Sequence, residues 1–88
     1  MKTSGDLAAS LGVHRQRLHR WIGRGILASS RTTDGGHRRF TPADERRARI
    51  ILALERAGIR KGRRFDRAVH ELAVEVEAMI AATFAAPR

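Results

Sequence analysis

Cysteine is missing from this 88-residue chain, which excludes disulfides, thiolate zinc sites and thiol redox relays in one step. Aromatic residues are scarce: one Trp, three Phe and no Tyr. No platform for stacking unpaired bases is visible, which argues against RNA as a ligand. Long apolar runs are lacking as well. The longest, Ile50 to Leu54 and Ala78 to Ala82, fall far short of the roughly 18–20 residues that a membrane span requires. Met1 to Gly12 holds no apolar stretch of the signal-peptide kind, so the expectation is a cytoplasmic protein without a membrane partner. Acids are in deficit too, with 9 Asp and Glu against 18 Lys and Arg.

That deficit is the strongest global feature present. Lys occurs only at positions 2 and 61, so the formal charge of +9 is carried almost wholly by Arg, the side chain suited to forked contacts with phosphates and base edges. The charge is uneven. Residues 1–64 hold sixteen cations and five anions, net +11, whereas residues 65–88 hold two and four, net −2. A basic body with a mildly acidic tail points to a polyanion as partner of the body alone. A chain of this length makes one small core, burying about 60–65% of its unfolded surface, and leaves little room for a catalytic cleft.

Hydrophobic spacing predicts a first helix from Gly5 to Leu11, with Ser4 as N-cap and Leu7, Ala8 and Leu11 on one stripe. Gly12 is the natural stop. A second helix is predicted from Arg15 to Ile22, ended by Gly23 and Gly25. The period then changes: Ala28 to Arg31 reads as a strand, Thr33-Asp34-Gly35-Gly36 as a tight turn and Arg38 to Phe40 as the returning strand. Thr41 as N-cap and Pro42 in the first turn open a third helix to about Ala57, with Ile50, Ile51, Leu54 and Ala57 facing inward. A basic linker, Arg60 to Arg64, precedes a fourth helix from Arg64 to Ala82 or Ala85. The fold class expected is mostly α: a winged helix-turn-helix in the order helix, helix, β-hairpin, helix, followed by a C-terminal amphipathic helix. Residues 1–59 would form the binding domain, and 60–88 the linker and last helix.

The stretch from Leu7 to Trp21 has the make-up of a helix-turn-helix: a small residue at Ala8, a turn glycine at Gly12, and apolar Leu7, Leu11, Val13, Leu18 and Trp21 to lock the pair. At 100° per residue, Leu18, Trp21 and Ile22 share the inner side of the second helix, while Gln16 and Arg20 point away from it. Arg15, Arg17 and His19 flank them, and no acid interrupts. In the major groove Arg reads guanine and Gln reads adenine through paired hydrogen bonds. The plainer reading is a solvated basic face on an ordinary helical hairpin. His37, Arg38 and Arg39 follow the hairpin tip and suit phosphate or a narrow minor groove, where the plainer reading is a surface turn. The cations of the linker face the positive end of the last helix, a conflict worth about 0.3–1 kcal/mol each that a nearby phosphate would remove and a solvated loop would also tolerate.

Three motifs together resemble the DNA-binding head of the MerR family: Leu11-Gly12-Val13, Leu18-His19-Arg20-Trp21, and Gly35-Gly36-His37-Arg38-Arg39-Phe40 followed by Thr41-Pro42-Ala43-Asp44. Residues 3–59 carry the likeness, which is nearest to the short, excisionase-like members. It implies double-stranded DNA as partner, a second helix in the major groove, and a wing on the backbone or the minor groove. It also implies service to RNA polymerase, as a transcription regulator, or to a recombinase, as an excisionase that bends DNA. Two positions depart from the family pattern: His14 stands where a Ser, Thr or Asp cap is usual, and Arg15 where Pro is frequent.

In the last helix Phe65, Val69, Leu72, Val76 and Met79 recur at spacings of four and three, with Ala68, Ala73, Ile80 and Phe84 broadening the stripe. It serves either packing within the chain or, as the family resemblance implies, a homodimer through Val69, Leu72, Val76 and Met79. An adaptor that works through this helix is a third functional reading. His14, His19, His37 and His70 lack metal-ligand spacing, Ser10, Ser29 and Ser30 lack an acid–base partner, and no phosphate-cradling loop occurs. No enzyme activity, metal or cofactor is expected.

Overall fold

A computed structural model of the chain describes residues 2–28, 31–32, 38–58 and 62–85. The fold is mostly helical, in the order α1 (Ser4–Leu11), α2 (Arg15–Gly23), β1 (Arg31–Thr32), β2 (Arg38–Arg39), α3 (Pro42–Arg56) and α4 (Arg63–Ala85). Two compact units divide the chain, Met1–Arg49 and Ile50–Arg88, with the division falling inside α3.

In the first unit, α1 and α3 start in the same way. Thr3 rather than Ser4 caps α1: its hydroxyl accepts from the Asp6 amide at 3.1 Å, and the Asp6 carboxylate accepts from the Thr3 amide at 3.4 Å. A cap at Ser4 would place Leu7 three residues on, where no side chain could return the bond; Thr3 and Asp6 satisfy each other. Thr41 and Asp44 repeat the exchange before α3, at 3.1 and 2.8 Å, and Pro42 takes the first helical position, as expected.

β1 and β2 pair antiparallel, Arg31 opposite Arg39 and Thr32 opposite Arg38. This is shorter than the sequence reading, which ran strands over Ala28 to Arg31 and Arg38 to Phe40. Ala28 carries no strand, and Phe40 pairs instead with Lys2 through two backbone bonds of 2.9 and 2.8 Å. The cause is burial: with the Phe40 side chain 1% exposed, its backbone polar groups need a partner away from water, and Lys2 supplies both bonds. The predicted turn at Thr33 to Gly36 lies outside the described residues.

Lys2 holds this end of the unit in a second way. Its ammonium lies 2.9 Å from one Glu45 oxygen, and Arg49 contacts the other at 2.9 Å, with the Ser10 hydroxyl bonded among all three. Lys2 first, then Arg49, hold the Glu45 carboxyl below the usual carboxylate range. The buried apolar residues of the unit are Leu7, Ala8, Leu11, Leu18, Trp21, Ile26, Leu27, Phe40 and Ala48.

In the second unit Ile51, Leu52, Phe65, Val69 and Ala73 are buried. The inward set predicted for α3 is corrected: Ile51 is buried as expected, Ile50 and Leu54 are half-buried, and Ala57 is exposed. Ala48, Ile51 and Leu52 stand at helical spacings of three and four and define the stripe, whereas Ala57 lies beyond the last helical residue. No helix among the described residues is long and apolar enough to cross a membrane.

Candidate nucleic-acid interface

α1 and α2 pack together across a three-residue turn, Gly12, Val13 and His14. Gly12 makes this tight turn by taking φ +70°, where a side chain is disfavoured. Its amide donates to the Ala9 carbonyl at 3.2 Å and the Val13 amide to the Ala8 carbonyl at 3.0 Å, the paired bonds of a Schellman stop. The same stop ends α2: Gly25 is left-handed, its amide bonds Ile22 at 3.0 Å, and Ile26 bonds Trp21 at 3.1 Å. Gly23, expected to help break the helix, is instead its last helical residue.

His14 begins α2. Its Nδ1 accepts from the Gln16 amide at 3.2 Å, so the imidazole fills the capping role that a hydroxyl or carboxylate usually holds. The neutral Nε2–H tautomer is the form this bond requires. The unusual residue in the sequence is thus a working cap.

α2 has two unlike sides. Leu18 is 0% and Trp21 2% exposed, while Arg15, Gln16, His19 and Arg20 are all exposed. Gln16 and Arg20 stand one helical turn apart, and α2 contains no acid. Acid is absent well beyond the helix: none occurs from Leu7 to Thr33, a span that holds Arg15, Arg17, Arg20, Arg24 and Arg31. That span therefore contributes five cations and no anion of its own to the surface.

Arg17 is placed differently from the others. It is half-buried, with its guanidinium carbon 5.7 Å from the centre of the Trp21 ring, within cation–π range. Of the strand residues, Arg39 is half-buried, Arg38 is placed by its backbone pairing with Thr32, and His37 lies outside the described residues. The sequence reading passed over Arg24, exposed just after α2, and Arg47, whose Nε donates to the Ile26 carbonyl at 2.6 Å. The length of the acid-free span would have pointed to Arg24. No local pattern marks Arg47, because its partner is a backbone carbonyl distant in sequence.

On α4 the expected seam divides. Val69 is fully buried within the chain, Val76 is half-buried, and Leu72 and Met79 are 39% and 63% exposed. Among the described residues no cluster of His, Asp and Glu could hold a metal ion.

A family profile described as MerR HTH family regulatory protein matches residues 2–63. The chain belongs to the MerR family of helix-turn-helix regulators. The likeness read from the three motifs is therefore a true family membership, and α1, the Gly12 turn and α2 are its helix-turn-helix. This MerR-family chain is also 41% identical over 54 residues to the nodulation protein NolA of Bradyrhizobium elkanii, and 37% identical over 54 residues to NolA of Bradyrhizobium diazoefficiens. These matches cover 61% of this chain and 25% and 23% of the relatives, so the chain spans about a quarter of the length of the curated relatives it matches.

Proposed function

We propose that residues 1–59 form the duplex-DNA-binding head of a MerR-type transcription regulator, with α2 seated in the major groove. The observation that carries this reading is the division of α2: Leu18 and Trp21 buried on one side, Arg15, Gln16, His19 and Arg20 exposed on the other, with no acid on the helix. Gln16 and Arg20 are assigned to base edges, where each well-made paired contact is worth about 1–3 kcal/mol of discrimination. Arg15 and His19 serve neighbouring phosphates. Arg17 contributes chiefly by bracing Trp21, which holds the helix at its angle.

The β1–β2 pair acts as the wing. We assign Arg38 and Arg39 of β2, with the preceding His37 of the sequence, to the DNA backbone or the adjoining minor groove. Residues 60–88 hold the linker and α4. Among the large exposed apolar groups of α4, which are Leu72, Val74, Met79 and Phe84, Leu72 and Met79 stand seven residues apart and support pairing with a second copy, which matches the two-fold symmetry of a palindromic operator.

Salt dependence of duplex binding tests the reading. A head that neutralises about five phosphates gives a slope of log K against log salt near −4.5. A flat response would leave the basic face as plain solvated surface. Footprinting on fragments selected from genomic DNA then separates a promoter palindrome, as a transcription regulator requires, from repeats beside an attachment site.

A further inference from the structure

We propose that Arg47 is a positioning residue for DNA recognition: its bond to Ile26 sets where the β1–β2 pair stands beside α2. The inference rests on the duplex-binding reading and adds a residue that touches no DNA itself.

Ile26 and Leu27, which follow α2, are held from two sides. On the α2 side, the amides of Ile26 and Leu27 both donate to the Trp21 carbonyl, at 3.1 and 3.4 Å. On the α3 side, the Arg47 Nε–H donates to the Ile26 carbonyl at 2.6 Å, a short bond from a charged donor in a part-buried setting. Ile26 and Leu27 are themselves 3% and 1% exposed, so their side chains cannot shift without opening the core. The other leg of the strand pair is fixed by the backbone pairing of Phe40 with Lys2 and by the Thr41–Asp44 cap of α3. The α3 side of the Ile26 leg is thus held through the Arg47 side chain, which comes from the helix that follows the strands. A strand pair tied at both legs keeps its spacing from α2, and duplex recognition by two elements at once needs that spacing fixed.

The chemistry of the bond supplies the test. Nε is the fourth atom of the Arg side chain. Gln places its amide nitrogen at that same position, without charge; Lys places a methylene there and carries its charge one atom further out. Full-length Arg47→Gln and Arg47→Lys are compared with the parent chain at a temperature where circular dichroism shows each to be folded. Two quantities are read: the affinity ratio between a selected duplex and a random one, and the amide shifts of Ile26–Thr32 and Arg38–Arg39 without DNA. Arg47→Gln is expected to stay within about threefold of the parent ratio, while Arg47→Lys loses about tenfold and shifts the strand amides. A Lys variant that keeps the ratio while Gln loses it would make Arg47 a phosphate contact and overturn the proposal. Equal loss in both, or no loss in either, would also overturn it. Should the parent chain show no duplex preference, the reading of the previous section fails, and the free-protein amide shifts still decide whether Arg47 positions the strands.

Discussion

Replacing Gly12 by Ala and, in a second variant, Gly23 by Ala changes the same atoms at two sites where an added Cβ would meet nothing within 4 Å. Packing therefore contributes nothing to either change, and backbone torsion decides both. At Gly12 φ is +70°, which costs an L-residue about 1–2 kcal/mol, offset by the about 0.4–1 kcal/mol that Ala gains by restricting the unfolded chain. The net is a loss of about 1 kcal/mol. Gly23 closes α2 with helical torsion, where Ala is favoured over Gly by about 0.5–1 kcal/mol. Thermal unfolding followed at 222 nm checks both signs, since about 1 kcal/mol moves Tm by about 4–8 °C in a domain of this size. Gly12→Ala is expected to lower Tm and Gly23→Ala to raise it, and Gly12→Asn should recover part of the loss because Asn tolerates left-handed backbone. Equal shifts of the same sign would refute the turn geometry on which the angle between α1 and α2 depends.

Three further outcomes follow from particular contacts. His14→Ala removes the acceptor for the Gln16 amide and should cost about 1 kcal/mol in urea unfolding, while His14→Asp restores a cap, suits the positive helix end and regains it; equal stability of all three chains would show the imidazole to be idle. Glu45 is held below its ordinary pKa by Lys2 and Arg49, so its contribution is present above the unfolded value of about 4.3 and is lost as pH falls through the lower folded value. Glu45→Gln should therefore flatten the fall in Tm on the acid side, and an unchanged acid limb would remove the cluster from the account. Trp21→Leu takes the ring from beneath Arg17 as well as volume from the core, so adding Arg17→Met should cost less in that background than in the parent; a double-mutant cycle measures the difference.

The helices and their faces were legible because each rests on local chemistry. Leu7, Ala8 and Leu11, then Leu18 and Trp21, repeat at helical spacing, and all five are buried. The Thr41-Pro42 start of α3 was readable for the same reason, since cap and first turn lie within four residues. The start of α1 was misread by one residue because Thr3 and Ser4 are both good caps, and only the return bond from Asp6 selects Thr3. The limits of the strands depended on a distant partner: Phe40 leaves the ladder to pair with Lys2, and nothing near Phe40 announces that. The Arg47 bond to Ile26 and the Lys2–Glu45–Arg49 cluster were hidden likewise, for an arginine that clamps a carbonyl has the same sequence signature as one in solvent. Of the interface, the outward placing of Gln16 and Arg20 could be read from helical phase, whereas Arg15, about 60° from Leu18 by that phase, is exposed all the same. The partial withdrawal of Arg17 onto Trp21 could not, because residues four apart also meet solvent freely on an exposed helix.

The most direct test of the account is a competition titration at about 0.1 M salt, setting a duplex selected from genomic DNA against a shuffled duplex of equal length and composition, with the parent chain and with Arg20→Ala. The account predicts that the parent prefers the selected duplex by at least about a thousandfold, and that Arg20→Ala gives up about 1–3 kcal/mol of that preference at one base pair. A parent chain that binds both duplexes equally would contradict it.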